Sequence, residues 1–127
     1  MKRLPRISES EWQVMKVLWT KSPATANDVI AALSGVSEWS DKTVRTLLNR
    51  LVNKKALAYS KDGRSYLYRP LVDERQCVRA ESRSFLHRVY GGALMPMLAA
   101  FLDEDELSAE EIADLRRMLD EKGGGQS

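Results

Sequence analysis

With only one cysteine, Cys77, in 127 residues, the chain cannot form an intrachain disulfide. That thiol and the lone histidine, His87, cannot by themselves supply the four donors of a structural zinc site. They stand ten residues apart on one expected helix, a spacing that does not bring both to the same face. No HExxH, GxSxG or phosphate-loop pattern occurs. The sequence therefore reads as a non-enzyme with no metal and no cofactor. No apolar run approaches the roughly 20 residues of a membrane span. The start, MKRLPRISESEW, is basic but lacks the apolar stretch of a signal peptide. A cytoplasmic protein without membrane insertion is the expectation.

The charge is small in total and uneven in distribution. The net value of +2 combines two opposed halves. Residues 1–71 carry 13 Lys/Arg against 6 Asp/Glu, and residues 72–127 carry 7 against 12. A basic front half suits a polyanion and an acidic back half would be repelled by one, so the two halves are expected to have different partners.

The front half reads as three helices and a hairpin. Ser8 and Glu11 have capping-box spacing at the start of a helix whose apolar stripe is Trp12, Met15, Leu18 and Trp19. Those tryptophans read as core. Ser22-Pro23 ends the helix, and Ala24-Thr25 leaves room for a stub strand. Thr25 and Asp28 repeat the capping logic before Val29, Ile30 and Leu33, and Gly35 stands where a left-handed residue closes a helix. Ser40 caps the third helix, with Val44, Leu47, Leu48, Leu51 and Val52 as its buried stripe.

The other side of the third helix carries Lys42, Thr43, Thr46, Asn49, Arg50 and Asn53 and no carboxylate. Long cations and short hydrogen-bonding groups are what phosphates and base edges call for in a major groove. Leu57–Lys61 and Ser65–Arg69 flank Asp62-Gly63, a strong hairpin signal, with Lys61 and Arg64 at a basic tip. A groove-reading helix beside a basic β-wing describes a winged helix-turn-helix. Winged helices also bind proteins, and the carboxylate-free face decides here for double-stranded DNA.

In the back half, Asp73 reads as the N-cap of a fourth helix, with Val78, Ser82, Phe85, Leu86 and Val89 on one face. Gly91-Gly92 breaks it. A fifth helix carries Leu94, Met97, Leu98, Phe101 and Leu102, with Pro96 in its first turn. Asp103–Glu106 reads as an acidic break, and Ser108 and Glu111 form a third capping box. Ile112, Leu115, Met118 and Leu119 then give the sixth helix an apolar face. About 50 residues with that much apolar surface bury too little of it alone. A homodimer through Phe85, Leu86, Leu94, Leu98, Phe101, Leu115 and Leu119 is the expected remedy, with two heads on a dyad operator. The expected fold is mainly α with a small hairpin: a winged-helix domain over 1–71, a three-helix dimerisation domain over 72–122, and a flexible tail over 123–127.

Four segments in order give a more specific likeness: ISESEWQVMKVLW, EWSDKTVRTLLNRL, SFLHRVYGGAL and LAAFLDEDELSAEEIADLRRML. With these the chain resembles the BlaI/MecI/CopY family of bacterial repressors over nearly its whole length. The resemblance implies a winged-helix head, a helical dimerisation domain and dyad operators. In the β-lactam-responsive members it also implies control of β-lactamase or penicillin-binding-protein genes. There, a membrane sensor-protease triggers cleavage of the repressor inside its dimerisation domain. The family's scissile Asn-Phe bond corresponds to Ala100-Phe101 here, with the aromatic kept and the Asn lost. Asp41 stands where the family often has Pro, and Lys55 where it often has Gly, at an expected cost of about 1 kcal/mol. The tail EKGGGQS lacks the cysteines of the copper-sensing branch. The residues leave open a regulator of other genes with a different inducer.

Overall fold

The computed structural model describes residues 4–104 and 106–124. In order the chain forms α1 (Glu9–Thr20), α2 (Ala26–Leu33), α3 (Asp41–Asn53), β1 (Leu57–Asp62), β2 (Ser65–Pro70), α4 (Glu74–Tyr90), α5 (Leu94–Glu104) and α6 (Ala109–Gly124). Local chemistry sets most of these limits. The Ser8 hydroxyl accepts from the Glu11 N–H while the Glu11 carboxylate accepts from the Ser8 N–H, so two free donors at the α1 terminus are satisfied reciprocally. Thr25 with Asp28 and Ser108 with Glu111 do the same for α2 and α6. Ser40 caps α3, and Asp73 accepts from the Gln76 N–H at the head of α4.

The chain divides into two compact units between Glu81 and Ser82. The core of the first is made by Val14, Met15 and Leu18 of α1, Val29 and Leu33 of α2, and Val44, Leu47, Leu48 and Leu51 of α3. Leu57 and Tyr68 of the hairpin close it. Fully burying one such side chain contributes about 1.5–3 kcal/mol, so this unit holds a core of its own. Trp12 and Trp19 pack against that core at its edge, their rings 5.5 Å apart. Ala24 is a one-residue strand: its N–H donates to the Tyr68 carbonyl at 3.1 Å and its carbonyl accepts from the Tyr68 N–H at 2.8 Å. The unit continues past residue 71 into α4. Trp19 Nε1 donates to the Val72 carbonyl, Lys16 pairs with Glu74, and Cys77 is buried in the core. Burial pushes the Cys77 thiol pKa up, with the nearby Asp73 adding to the effect, so the thiol stays protonated.

The hairpin turn differs by one residue from the sequence expectation. Asp62 pairs with Ser65, so the two-residue loop is Gly63-Arg64 rather than Asp62-Gly63. Gly63 has φ +65° and Arg64 does not share the sign, which puts glycine first, as a type II′ turn requires. The acidic break is also shorter than the composition suggests. Helix α5 takes in Asp103 and Glu104, while residue 105 of that stretch lies outside the described residues. Helix α6 continues through Gly123 and Gly124, and residues 125–127 of the expected tail lie outside the described residues.

The second unit holds the end of α4, then α5 and α6. Gly91 and Gly92, with φ of +61° and +90°, turn the chain between the first two. No described side chain of this unit is buried. Val89, Leu94, Met95, Phe101, Leu102, Ile112, Met118 and Leu119 are all exposed. The amphipathic stripes read from the sequence are present, but they meet no core.

Among the described residues Glu11 is the one charged residue in the first unit's core, 1% exposed. Burial raises its pKa, but hydrogen bonds from Lys54 and from the Ser8 N–H and hydroxyl outweigh that, so the net shift is downward. A lowered folded pKa adds stability at neutral pH that is lost as pH falls through the folded value. Glu11→Gln should therefore lower stability by about 2 kcal/mol at pH 7. The deficit should shrink as pH drops below the ordinary glutamate value of 4.5. Thermal melts of both proteins across pH check this, and a deficit constant with pH would refute it.

Helix α3 ends in a Schellman motif. The Ala56 N–H donates to the Leu51 carbonyl and the Lys55 N–H to the Val52 carbonyl, which leaves Lys55 at φ +66°. A side chain in that left-handed region costs roughly 1–2 kcal/mol, partly offset by the greater unfolded-state freedom of glycine. Lys55→Gly should thus raise stability by about 0.5–1 kcal/mol, read as a higher denaturation midpoint with an unchanged denaturant slope.

Candidate nucleic-acid interface

Helix α3 is split cleanly along its length. Val44, Leu47, Leu48 and Leu51 are buried, while Lys42, Thr43, Thr46, Asn49 and Arg50 are all exposed. At 100° per residue, Lys42, Thr46 and Asn49 occupy the middle of the outward face, and Thr43 and Arg50 one flank. The two hydroxyls are already oriented by local bonds. Thr46 donates to the Lys42 carbonyl at 2.9 Å, and Thr43 Oγ1 lies 3.1 Å from Ser40 Oγ. Asp41 lies off that face at the first helical position, where a carboxylate suits the helix dipole.

The helix is fixed at both ends. Lys54, its C-cap, reaches back to Glu11 and also donates to the Arg6 carbonyl at 2.9 Å. On the flank opposite Arg50, Arg45 donates to Asn27 Oδ1 of α2 at 2.9 Å. Sequence reasoning passed over Arg45, because it stands at the border between the apolar stripe and the polar face. Its position three residues after Lys42 and four before Asn49 is the signal that includes it.

The wing carries a second basic group. Register pairs Tyr59 with Tyr68 and Lys61 with Tyr66, so these four share one face of the hairpin. Tyr59 stacks edge-on to Tyr66 at 5.0 Å and lies 6.1 Å from Tyr68, forming an aromatic base under the exposed Lys61. Arg64 at the turn is exposed and comes to the same cavity as Arg45. The structure thus brings the wing and the border of α3 together, while Lys42 and Arg50 remain on the open face. A larger cleft, about 590 Å³, lies between α1 and α2. Its walls include Val17, Ala24, Ala31, Leu33 and Val36, and the Lys16 beside them is paired with Glu74, so it offers a polyanion little.

Among the described residues no group of three His, Cys, Asp or Glu side chains gathers as a metal site, and no single helix is long and apolar enough to cross a membrane. The sequence comparisons point the same way as the geometry. Residues 7–121 match the family model described as "Penicillinase repressor". The chain is 46% identical over 121 residues to the penicillinase repressor of Bacillus licheniformis, covering 95% of this chain and 94% of that one. It is 36% identical over 116 residues to the methicillin resistance regulatory protein MecI of Staphylococcus aureus strain N315, covering 91% and 94%. The solution structure of the B. licheniformis BlaI monomeric form in complex with the blaP half-operator aligns with a TM-score of 0.52 at 49% identity, over 58% of this chain and 90% of that one. A basic winged helix followed by a helical unit, matched by the family model and both repressor sequences along almost its entire length, places the chain in the penicillinase repressor family, whose members are DNA-binding transcriptional repressors rather than enzymes.

Proposed function

We propose that this chain is a homodimeric repressor of β-lactamase or related resistance genes, acting in the cytoplasm on a dyad operator. The observation that carries the reading is the exposed, carboxylate-free face of α3 held in place by a buried apolar stripe. Arg50, or second to it Lys42, reads a base edge; Thr43 and Thr46 meet phosphate or a thymine methyl, with Asn49 between them. Lys61 and Arg64 of the wing rest on phosphates. A bidentate base contact is worth about 1–3 kcal/mol. Arg50→Ala should therefore weaken operator binding roughly 5- to 150-fold and relax specificity. Lys61→Ala should weaken all sequences alike and flatten the salt dependence by about one unit. Titration of operator and random duplex over a salt series checks both. Unchanged operator affinity in a folded Arg50→Ala protein would remove the assignment.

The second unit supports the dimer. Its apolar side chains have no core to enter, and a two-fold partner would cover Phe85, Leu86, Leu94, Leu98, Phe101, Leu115 and Leu119 at once. The Ala100-Phe101 bond lies inside α5, and cutting it would detach the rest of that helix with all of α6. The interface would lose Leu115 and Leu119, and each head would bind its half-site without the other's effective concentration, in the mM range for a short link. Release by a membrane sensor-protease follows that logic. Ala100 in place of the family's Asn favours a second reading, in which the repressor is released by another inducer without cleavage.

Two measurements separate these. Sedimentation at micromolar concentration should give a dimer that becomes monomeric on Leu98→Asp, with operator affinity falling in parallel. A wild-type monomer that still binds operator tightly would contradict the assembly. In cells exposed to a β-lactam, a fragment of residues 1–100 should accumulate on induction. Induction with only intact protein present would leave the second reading standing.

A further inference from the structure

The cavity beneath the wing has no assigned role. It measures about 340 Å³ and is walled by the start of α2, the border of α3 and the hairpin. Two arginines, Arg45 and Arg64, line it from different elements, and no Asp or Glu does. Arg64 has no ion-pair partner among the described residues, and Arg45 spends one N–H on Asn27 Oδ1. That single bond fixes the fork while leaving its other donors available. Tyr66 and Ser65 complete the wall on the hairpin side.

Two arginines on one cup with no carboxylate among its walls favour an anion there. A planar, delocalised cation with several fixed donors matches the oxygens of a phosphate better than a point charge does. The volume is sufficient for a phosphodiester. A free phosphate would satisfy the same chemistry. Arg45 lines the cup from the border of the outward face of α3, so a duplex lying on that face would bring its own phosphates near it.

We propose that this cup seats one backbone phosphate in each half-site, clamped by Arg45 from the recognition helix and Arg64 from the wing. The inference rests on the proposed DNA-binding reading and adds to it Arg45 and the pairing of helix with wing. Its consequence is positional. A phosphate held between two elements fixes where α3 sits along the groove, while Lys42 and Arg50 remain the groups that distinguish sequences.

The test uses the full-length protein with operator and random duplexes of equal length. Arg45→Gln and Arg64→Gln should each weaken both duplexes by the same factor, about tenfold near physiological salt, leaving their ratio unchanged. The salt dependence should flatten by about one unit. Arg45→Lys should restore that slope but only part of the affinity, because the charge returns without the fork. Ethylating operator phosphates one at a time should reveal one position per half-site that weakens wild-type binding and has no further effect on the Arg45→Gln protein. Inorganic phosphate at matched ionic strength should not displace the duplex; if it does so with wild-type protein and not with Arg45→Gln, the seat belongs to free phosphate and the proposal fails. A loss confined to the operator would make Arg45 a base reader and overturn the clamp. Unchanged binding of both duplexes by folded variants would overturn it too. Wild-type protein that binds no duplex at all would remove the underlying reading together with the clamp.

Discussion

The rotation of α3 about its own axis is the constraint on which the rest of the head depends. Val44, Leu47, Leu48 and Leu51 occupy the core at the spacing of a helical stripe. A rotation by one residue would drag a leucine into water and push a threonine or arginine into the core. Each buried leucine contributes about 1.5–3 kcal/mol, and an unpaired polar group in its place costs a comparable amount. The outward aim of Lys42, Thr46, Asn49 and Arg50 is thus a by-product of burying the opposite side. The outward face carries almost none of the helix's stabilisation, which leaves its side chains free for the proposed recognition.

Rotation alone would not fix where the helix lies. Three further contacts do that, each from a different direction. Glu11 receives Lys54, joining the end of α3 to the beginning of α1. Asn27 receives Arg45, joining the border of α3 to the beginning of α2. The Schellman turn at Lys55 sends the chain straight into β1, so the hairpin leaves α3 at a fixed angle. The Ala24–Tyr68 pairing then ties the hairpin back to the segment ahead of α2. A head so restrained has little left to order when it docks, and preorganisation of this kind raises affinity by lowering the cost of binding rather than by adding contacts.

How much of this could be read from the chain depends on how far apart the interacting residues stand. The three capping boxes, the stripe of α3 and the breaks at Gly35 and Gly91-Gly92 all involve neighbours within one turn or one period, and they stand where the spacing puts them. The hairpin is there as well, but its turn is displaced by one residue, because Asp-Gly and Gly-Arg are both acceptable two-residue loops and the strand register chooses between them. The contacts that position α3 were not legible. Glu11 and Lys54 are 43 residues apart, and each looks like an ordinary surface charge until the fold joins them. Cys77 follows the same rule. On α4 it is one small residue among arginines, and only the packing of that helix against α1 makes it core. Arg45 was missed for a subtler reason. A border residue belongs to neither face in a periodicity argument, yet borders are where adjacent elements meet.

The two units differ in a way that bears on regulation. The head has a closed core and satisfies its own polar groups. The second unit buries nothing among its described residues and exposes a row of apolar side chains on three short helices. In the proposed dimer, stability in such a unit comes from association, so its state depends on concentration and on the integrity of every helix in it. A switch located there needs no contact with the reading face. In the proposed dimer it would act by separating two intact heads, and each head would then lose the effective concentration conferred by its twin. The same switch placed in the head would have to oppose the core that orients α3. On the proposed reading, the second unit's lack of a core is what makes the repressor releasable: the element that couples the two heads is also the one that the least perturbation takes apart.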